Sequence, residues 1–270
     1  MTIRRIRWFV VVVLIGIAAF ASSARAAPPP ALRVFAAASL DAPFRELARE
    51  FERSERGVKV RFNLAGSQQL AAQLQQGAEG DVFASADERW MAFADSLGLL
   101  AGAPRVFAHN SLTVIVPRTN PGRIARLHDL ARPGLKLVLG AGTVPVGQYA
   151  REMLVRLGAE PGIPAGYVRR VLSNLVSEEE SVRGVVNKVQ LAEADAGVVY
   201  VSDVTPLLAR YVKELPIPAS ANVVATYPVA IVRGSRANAQ AERFVALLLS
   251  AKGQAILARH RMLPATTEHP

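Results

Sequence analysis

The chain has 270 residues, no cysteine, and 32 Lys and Arg against 22 Asp and Glu, a formal net charge of +10. The missing cysteine excludes thiolate metal sites, cysteine nucleophiles, redox pairs and a lipobox anchor. Without the four arginines of the first 26 residues, 28 basic residues face 22 acidic ones, about +6; they alternate with acids, as in Arg45-Glu46 and Arg49-Glu50, and form no basic stripe of the nucleic-acid-binding kind.

The first segment reads as an address. Met1 to Arg7 carries three arginines and no acid, Trp8 to Ala21 is uninterruptedly apolar, and Ser22-Ser23 lead into Ala24-Arg25-Ala26. A basic start, a short apolar run and an A-x-A site predict a secretory signal peptide over 1–26, cleaved near Ala26, and a periplasmic destination. The apolar run is about 14 residues where a spanning helix needs about 20. An uncleaved N-terminal anchor is the alternative. The remaining length, roughly 240 residues, suits two lobes of about 100 to 120 residues each.

Short apolar strands then alternate with amphipathic helices. Leu32–Ala36 predicts a strand, and Phe44, Leu47, Ala48 and Phe51 recur at helical spacing within 40–53. Strands are expected over 58–64 and 81–85, and helices over 67–76, closed by Gly77, and 89–97. Further on come strands at 112–116, stopped by Pro117, and at 135–140, then a helix over 147–157 closed by Gly158. A helix over 178–192, a buried strand over 197–200, a strand pair or long strand over 222–232 broken at Pro228, and helices over 238–250 and 252–259 complete the series. Repeated strand–helix alternation implies an α/β fold with mainly parallel pairing. Strands crossing between lobes are expected near His109-Asn110-Ser111 and Ala225-Thr226-Tyr227. That places lobe one at 27–110 plus 225–270 and lobe two at 111–224.

Several loops repeat one design, in which a strand ends, a small or hydroxyl residue follows, and a helix begins. Ala37-Ala38-Ser39, Ala65-Gly66-Ser67 and Gly140-Ala141-Gly142-Thr143 leading to Gly147 all fit it. Ligands of open α/β sheets bind beyond the carboxyl ends of strands, and free N–H groups at helix starts attract anions. The competing reading of each serine is a plain helix cap. Enzyme signatures are missing. Ser39 and Ser67 lack a G-x-S-x-G elbow, and His109, His128, His260 and His269 show no H-E-x-x-H spacing. Glu178-Glu179-Glu180 reads as the acidic first turn of a helix rather than a metal cluster, and Asp81 and Asp87 as capping residues rather than general acids.

Six segments in order carry a resemblance: Val34-Phe35-Ala36-Ala37-Ala38-Ser39-Leu40, Ala65-Gly66-Ser67, Gly80-Asp81-Val82-Phe83-Ala84-Ser85-Ala86, Val144-Pro145-Val146-Gly147-Gln148-Tyr149-Ala150, Ser181-Val182-Arg183, and Ala196-Gly197-Val198-Val199-Tyr200-Val201-Ser202-Asp203. From about Leu32 to Leu263 the chain closely resembles the periplasmic molybdate-binding proteins of ABC importers. The resemblance implies the two-lobed periplasmic-binding-protein fold of type II. It also implies a molybdate or tungstate ligand in the cleft, no cofactor, delivery to an inner-membrane permease, and a monomer. Carried over position by position, Ser39 and Ser67 match hydroxyl and backbone donors of the first lobe. Val146 and Val182 match backbone N–H donors, and Tyr200 matches a phenol aimed at an oxygen; these residues meet the metal only as its oxyanion. Many members have alanine where this chain has Val146, whose extra methyls narrow the pocket. Arg183 is expected to be structural. Selectivity against sulfate would follow from cavity size. The remaining alternatives are the same fold with sulfate, phosphate, thiosulfate or an organic acid, an exported hydrolase, and the sensing module of a transcription regulator.

Overall fold

The computed structural model describes residues 31–265. The expected signal segment and His269 lie outside the described residues. One half of the molecule is built on β1 (Ala31–Ala37), flanked in parallel by β2 (Lys59–Ala65) and β3 (Val82–Ala84). Helix α1 (Asp41–Ser54) buries Phe44, Leu47, Ala48 and Phe51, the apolar stripe read from the sequence. Phe44 and Phe51 meet Phe244 edge-on at 6.0 and 5.4 Å, which fixes α1 against the C-terminal helix that carries Phe244. Helices α2 (Ser67–Gln75) and α3 (Glu88–Ser96) follow β2 and β3.

The second half repeats the plan. Strand β5 (Leu137–Gly140) pairs in parallel with β6 (Leu175–Glu179) and β7 (Ala196–Tyr200), interleaved with α4 (Pro145–Gly158), α5 (Tyr167–Leu172) and α6 (Val182–Gln190). Two long antiparallel strands bind the halves into one sheet of order β2-β1-β3-β9-β4-β7-β5-β6. Strand β4 (Leu100–Pro117) pairs with β9 (Val224–Val232) as far as Ser111. From Leu112 it pairs with β7, and from Thr113 also with β8 (Val212–Pro216). Asn222 seals this junction by bonding both the N–H and the carbonyl of Leu112, at 3.0 and 2.9 Å, in the manner of a ladder residue. Helices α7 (Asn238–Leu249) and α8 (Ala251–Arg259) and the short β10 (Leu263–Pro264), which pairs with β4, return the chain to the first half. The result is the two-lobed α/β architecture expected, each lobe a parallel unit edged by antiparallel crossing strands. No described helix is long and apolar enough to cross a membrane.

Some elements differ from expectation. The strand expected at 112–116 is 18 residues long and begins at Leu100, so it runs through both halves. Pro228 does not break β9. Its carbonyl accepts from Ser85 N–H at 3.0 Å, and the register with β4 shifts between Val106 and Ala108, opposite the proline, where no N–H is needed. The Glu178-Glu179-Glu180 run is not the first turn of a helix. Glu178 and Glu179 end strand β6 and the helix begins only at Val182. Glu178 pairs with Arg151, and Glu179 lies 3.5 Å from Lys188 and accepts from Ser177 Oγ at 2.6 Å, so partners on either side hold these acids in an edge strand. Helix α5 and strands β8 and β10 are additions to the expected series.

Candidate functional site

The carboxyl ends of the parallel strands from both lobes face one another. Beyond β1 the chain makes a 3-10 turn, Ala38–Leu40, which carries Ser39. Beyond β2, Gly66 precedes α2, whose first residue is Ser67. Across the cleft, Val146 is the second residue of α4, Val182 is the first of α6, and Tyr200 ends β7. The competing reading of the serines as helix caps fails: the cap positions of α1 and α2 are Leu40 and Gly66. Ser39, Ser67, Val146, Val182 and Tyr200 line one small space between the lobes, of about 10 Å³, and each is at most 5% exposed.

Small and apolar residues with a few hydroxyls line this space, and it is uncharged. Among the described residues that line it there is no Lys, Arg, His, Asp or Glu. Three helices of at least nine residues, α2, α4 and α6, begin on it. The N–H groups of their first turns have no acceptor within the helix and sit at the positive end of the dipole. Ser67 Oγ accepts the N–H of Ala86 at 3.0 Å, which leaves its own hydrogen to donate elsewhere. Ser39 Oγ lies 3.0 Å from Tyr227 Oη. Tyr200 Oη is buried with no hydrogen-bond partner among the described residues, and burial holds its phenol well above the ordinary value, so it is a neutral O–H donor. Buried polar groups are normally satisfied, so this hydroxyl is an exception on a residue that lines the space.

Local glycines make the approach possible. A Cβ on Gly147 would stand 2.2 Å from the carbonyl oxygens of Gly140 and Ala141, so α4 can start against β5 only with glycine there. Val146 sends one γ-methyl over Gly140, where a Cβ would lie 2.9 Å from it, so that methyl is accommodated by a glycine. Gly66 is tightest across the cleft, since its Cβ would meet the carbonyl oxygen of Glu180 at 2.4 Å.

Several contacts hold the lobes together around the site. Gln68 Nε2 donates to Glu180 O at 2.8 Å, Trp90 Nε1 and Arg89 Nη2 donate to Thr143 O at 2.9 and 2.6 Å, and Arg183 pairs with Asp41. Arg183, expected to be structural, faces the rim and not the cavity. Behind Tyr200, its own N–H donates to Asp203 Oδ2 at 2.9 Å. Burial pushes that carboxyl up to about 7, against the opposing pull of the Tyr200 N–H and of Arg183.

Other candidates lie elsewhere. Asp87 caps α3, accepting from Trp90 N–H at 3.0 Å, as expected. Asp81 is no cap; it ties Arg33 N–H at 2.7 Å to Ser235 Oγ at 2.7 Å, joining β1 to the segment before α7. His109 contacts Thr226 and His260 contacts Glu46, while the partners of Ser39 and Ser67 are Tyr227 and a backbone N–H, so no serine–histidine pair forms at the cleft. No cluster of metal-ligating side chains occurs among the described residues. Sequence reasoning missed Asn110 and Tyr227, both fully buried behind Ser39. The available signal was a polar side chain within each predicted crossing segment.

Fold and cleft together define a two-lobed solute-binding protein. The family model for the bacterial extracellular solute-binding protein matches residues 32–262. The molybdate-binding protein ModA of Mycobacterium tuberculosis is 41% identical over 224 residues, 83% of this chain and 81% of that protein. The chain thus belongs to the ModA family of extracellular solute-binding proteins. Among solved structures, the periplasmic molybdate-binding protein of Azotobacter vinelandii superposes with a TM-score of 0.74 at 23% identity, over 86% of this chain and 98% of that one. The sulfate-binding protein SubI of Mycobacterium tuberculosis superposes with a TM-score of 0.76 at 18% identity, over 87% of each chain. At those identities the superpositions speak for the fold alone.

Proposed function

We propose that the chain captures molybdate, or tungstate, as the tetrahedral dianion in the cleft and delivers it to the permease of an ABC importer. The hydroxyls of Ser39, Ser67 and Tyr200 and the backbone N–H groups of Val146 and Val182 are the donors. The observation that carries this reading is the buried, unpartnered Tyr200 Oη facing an uncharged cavity onto which three helix N-termini open. Hydrogen bonds to an ionised acceptor are about twice as strong as neutral ones, and in a water-excluded cleft fixed dipoles suffice for a dianion. Leaving out Lys and Arg keeps the site reversible, because release then separates no ion pair. The molybdate assignment, over sulfate in the same fold, rests on the 41% likeness to a molybdate-binding protein.

In this reading lobe one spans 27–110 plus 225–270 and lobe two 111–224. The lobes close about β4 and β9, and the protein works as a monomer in the periplasm after cleavage near Ala26. It needs no cofactor and binds no nucleic acid. Titration calorimetry with molybdate, tungstate and sulfate tests it. Saturable binding of the first two, with sulfate much weaker, is expected; equal binding of sulfate overturns selection by cavity size.

A further inference from the structure

Behind the cavity a line of buried polar groups runs across the crossing strands. Asn110 on β4 and Tyr227 on β9 are both fully buried. Asn110 Nδ2 lies 2.7 Å from Ser202 Oγ and a longer 3.5 Å from Tyr227 Oη, which in turn lies 3.0 Å from Ser39 Oγ. Ser39 and Tyr227 belong to the lobe built on β1, whereas Ser202 follows β7 in the other. One side-chain amide therefore touches hydroxyls from both sides of the cleft.

We propose that Asn110 and Tyr227 are positioning residues that turn the Ser39 hydroxyl hydrogen into the cavity; this rests on the oxyanion reading above. The argument is one of hydrogen-bond polarity. An amide nitrogen only donates, so Asn110 Nδ2 can supply one hydrogen to Ser202 Oγ and one to Tyr227 Oη. A phenol that accepts this hydrogen directs its own toward Ser39 Oγ. Ser39 Oγ, accepting from Tyr227, has its remaining hydrogen for a ligand. Each group in the chain polarises the next, so the last donor is strengthened as well as aimed.

The opposite amide orientation would reverse every step. Oδ1 would then accept from Ser202 and Tyr227, Tyr227 could no longer donate to Ser39, and Ser39 would present a lone pair to an anion. In the orientation seen, Asn110 Oδ1 has no hydrogen-bond partner among the described residues although the side chain is fully buried. A buried acceptor left unsatisfied is destabilising. Its retention in a network that reaches the cavity through Tyr227 and Ser39 is the kind of local cost a binding site retains. Burial also raises the Tyr227 phenol far above its ordinary value, so it stays an O–H donor throughout the physiological range.

The test is a double-mutant cycle read by calorimetric titration with molybdate, using Ser39→Ala, Tyr227→Phe and the double variant, with melting temperatures recorded for each. Tyr227→Phe is expected to weaken binding about tenfold, the worth of one charge-assisted hydrogen bond. The double variant should bind no more weakly than Ser39→Ala alone, because Tyr227 acts through that hydroxyl. Asn110→Asp, which replaces the donor by an acceptor, should lose at least as much affinity as Tyr227→Phe. Independent, multiplying losses in the cycle, or a Tyr227→Phe variant that binds like the parent, would overturn the positioning role while leaving the oxyanion reading intact. A parent protein that binds no oxyanion would overturn both.

Discussion

Tyr200, Ser67 and Asp203 differ in what their side chains do for the fold, and that difference separates ligand effects from stability effects. Tyr200 Oη has no partner among the described residues, so Tyr200→Phe should leave the melting temperature of the ligand-free protein unchanged or higher. The same change should weaken molybdate binding roughly ten- to a hundredfold, the range of a hydrogen bond to a charged group. Ser67→Ala should behave otherwise. It strands the buried N–H of Ala86, so it should destabilise the protein by about 1–3 kcal/mol in denaturant melts in addition to weakening the ligand. Asp203 predicts a pH effect of definite sign. Its folded-state value is raised from 3.8 to about 7, so its contribution to stability is fully present below 3.8 and is lost as pH rises through 7. A protonated Asp203 also removes a negative charge from beside the anion. Affinity should therefore be higher at pH 6 than at pH 8, and Asp203→Asn should flatten that difference in calorimetry. Ser39 and Ser67 were legible at strand-to-helix loops, where residue type and local geometry are coupled, whereas Val146, Val182 and Tyr200 came only through the resemblance, since a backbone donor or a strand-end phenol has no local signature. Asn110 and Tyr227 were not, because they bond to residues 92 to 188 positions away, and nothing local marks such a bond.

At the scale of elements, the cleft depends on how closely α2 approaches the segment before α6. Gly66 adopts φ −64°, which alanine tolerates, yet its Cβ would collide with Glu180 O of the opposite lobe. Gly66→Ala should thus fold normally but fail to close. Small-angle scattering should show no compaction on adding molybdate, and affinity should fall more than tenfold; full compaction would refute the close-approach argument. The Asp41–Arg183 pair is a weaker clasp, since half-exposed ion pairs contribute about 0–1 kcal/mol. Arg183→Ala should change affinity less than about fivefold and mainly speed release. Most elements were readable from apolar periodicity, α1 above all, whose Phe44, Leu47 and Phe51 stripe is its buried face. Strand β6 was not, because an edge strand ending in Glu178-Glu179 has the composition of an acidic helix start. The 18-residue β4 was not, because its first half is exposed on one side and lacks a continuous apolar run.

At the scale of the whole molecule, two lobes joined by β4 and β9 make binding and closure one equilibrium. A ligand that bridges the lobes stabilises the folded state by about 2.7 kcal/mol at a hundredfold excess over Kd, which for a chain of this size raises Tm by roughly 5–10 °C. Molybdate should produce such a shift and sulfate at the same concentration should not. The two-lobed architecture followed from strand–helix alternation and the ordered motifs. The crossing itself was placed at His109-Asn110-Ser111 and Ala225-Thr226-Tyr227, where β4 and β9 do pair; their antiparallel register and the single sheet they create were not, since long-range pairing leaves no periodic trace. The most direct test of the central claim is calorimetric titration of the exported protein with molybdate, tungstate and sulfate, repeated on Tyr200→Phe. The account predicts one site per chain for molybdate and tungstate, much weaker sulfate binding, and a tenfold or greater loss in the variant. Binding unaffected by Tyr200→Phe, or sulfate bound as tightly as molybdate, would contradict it.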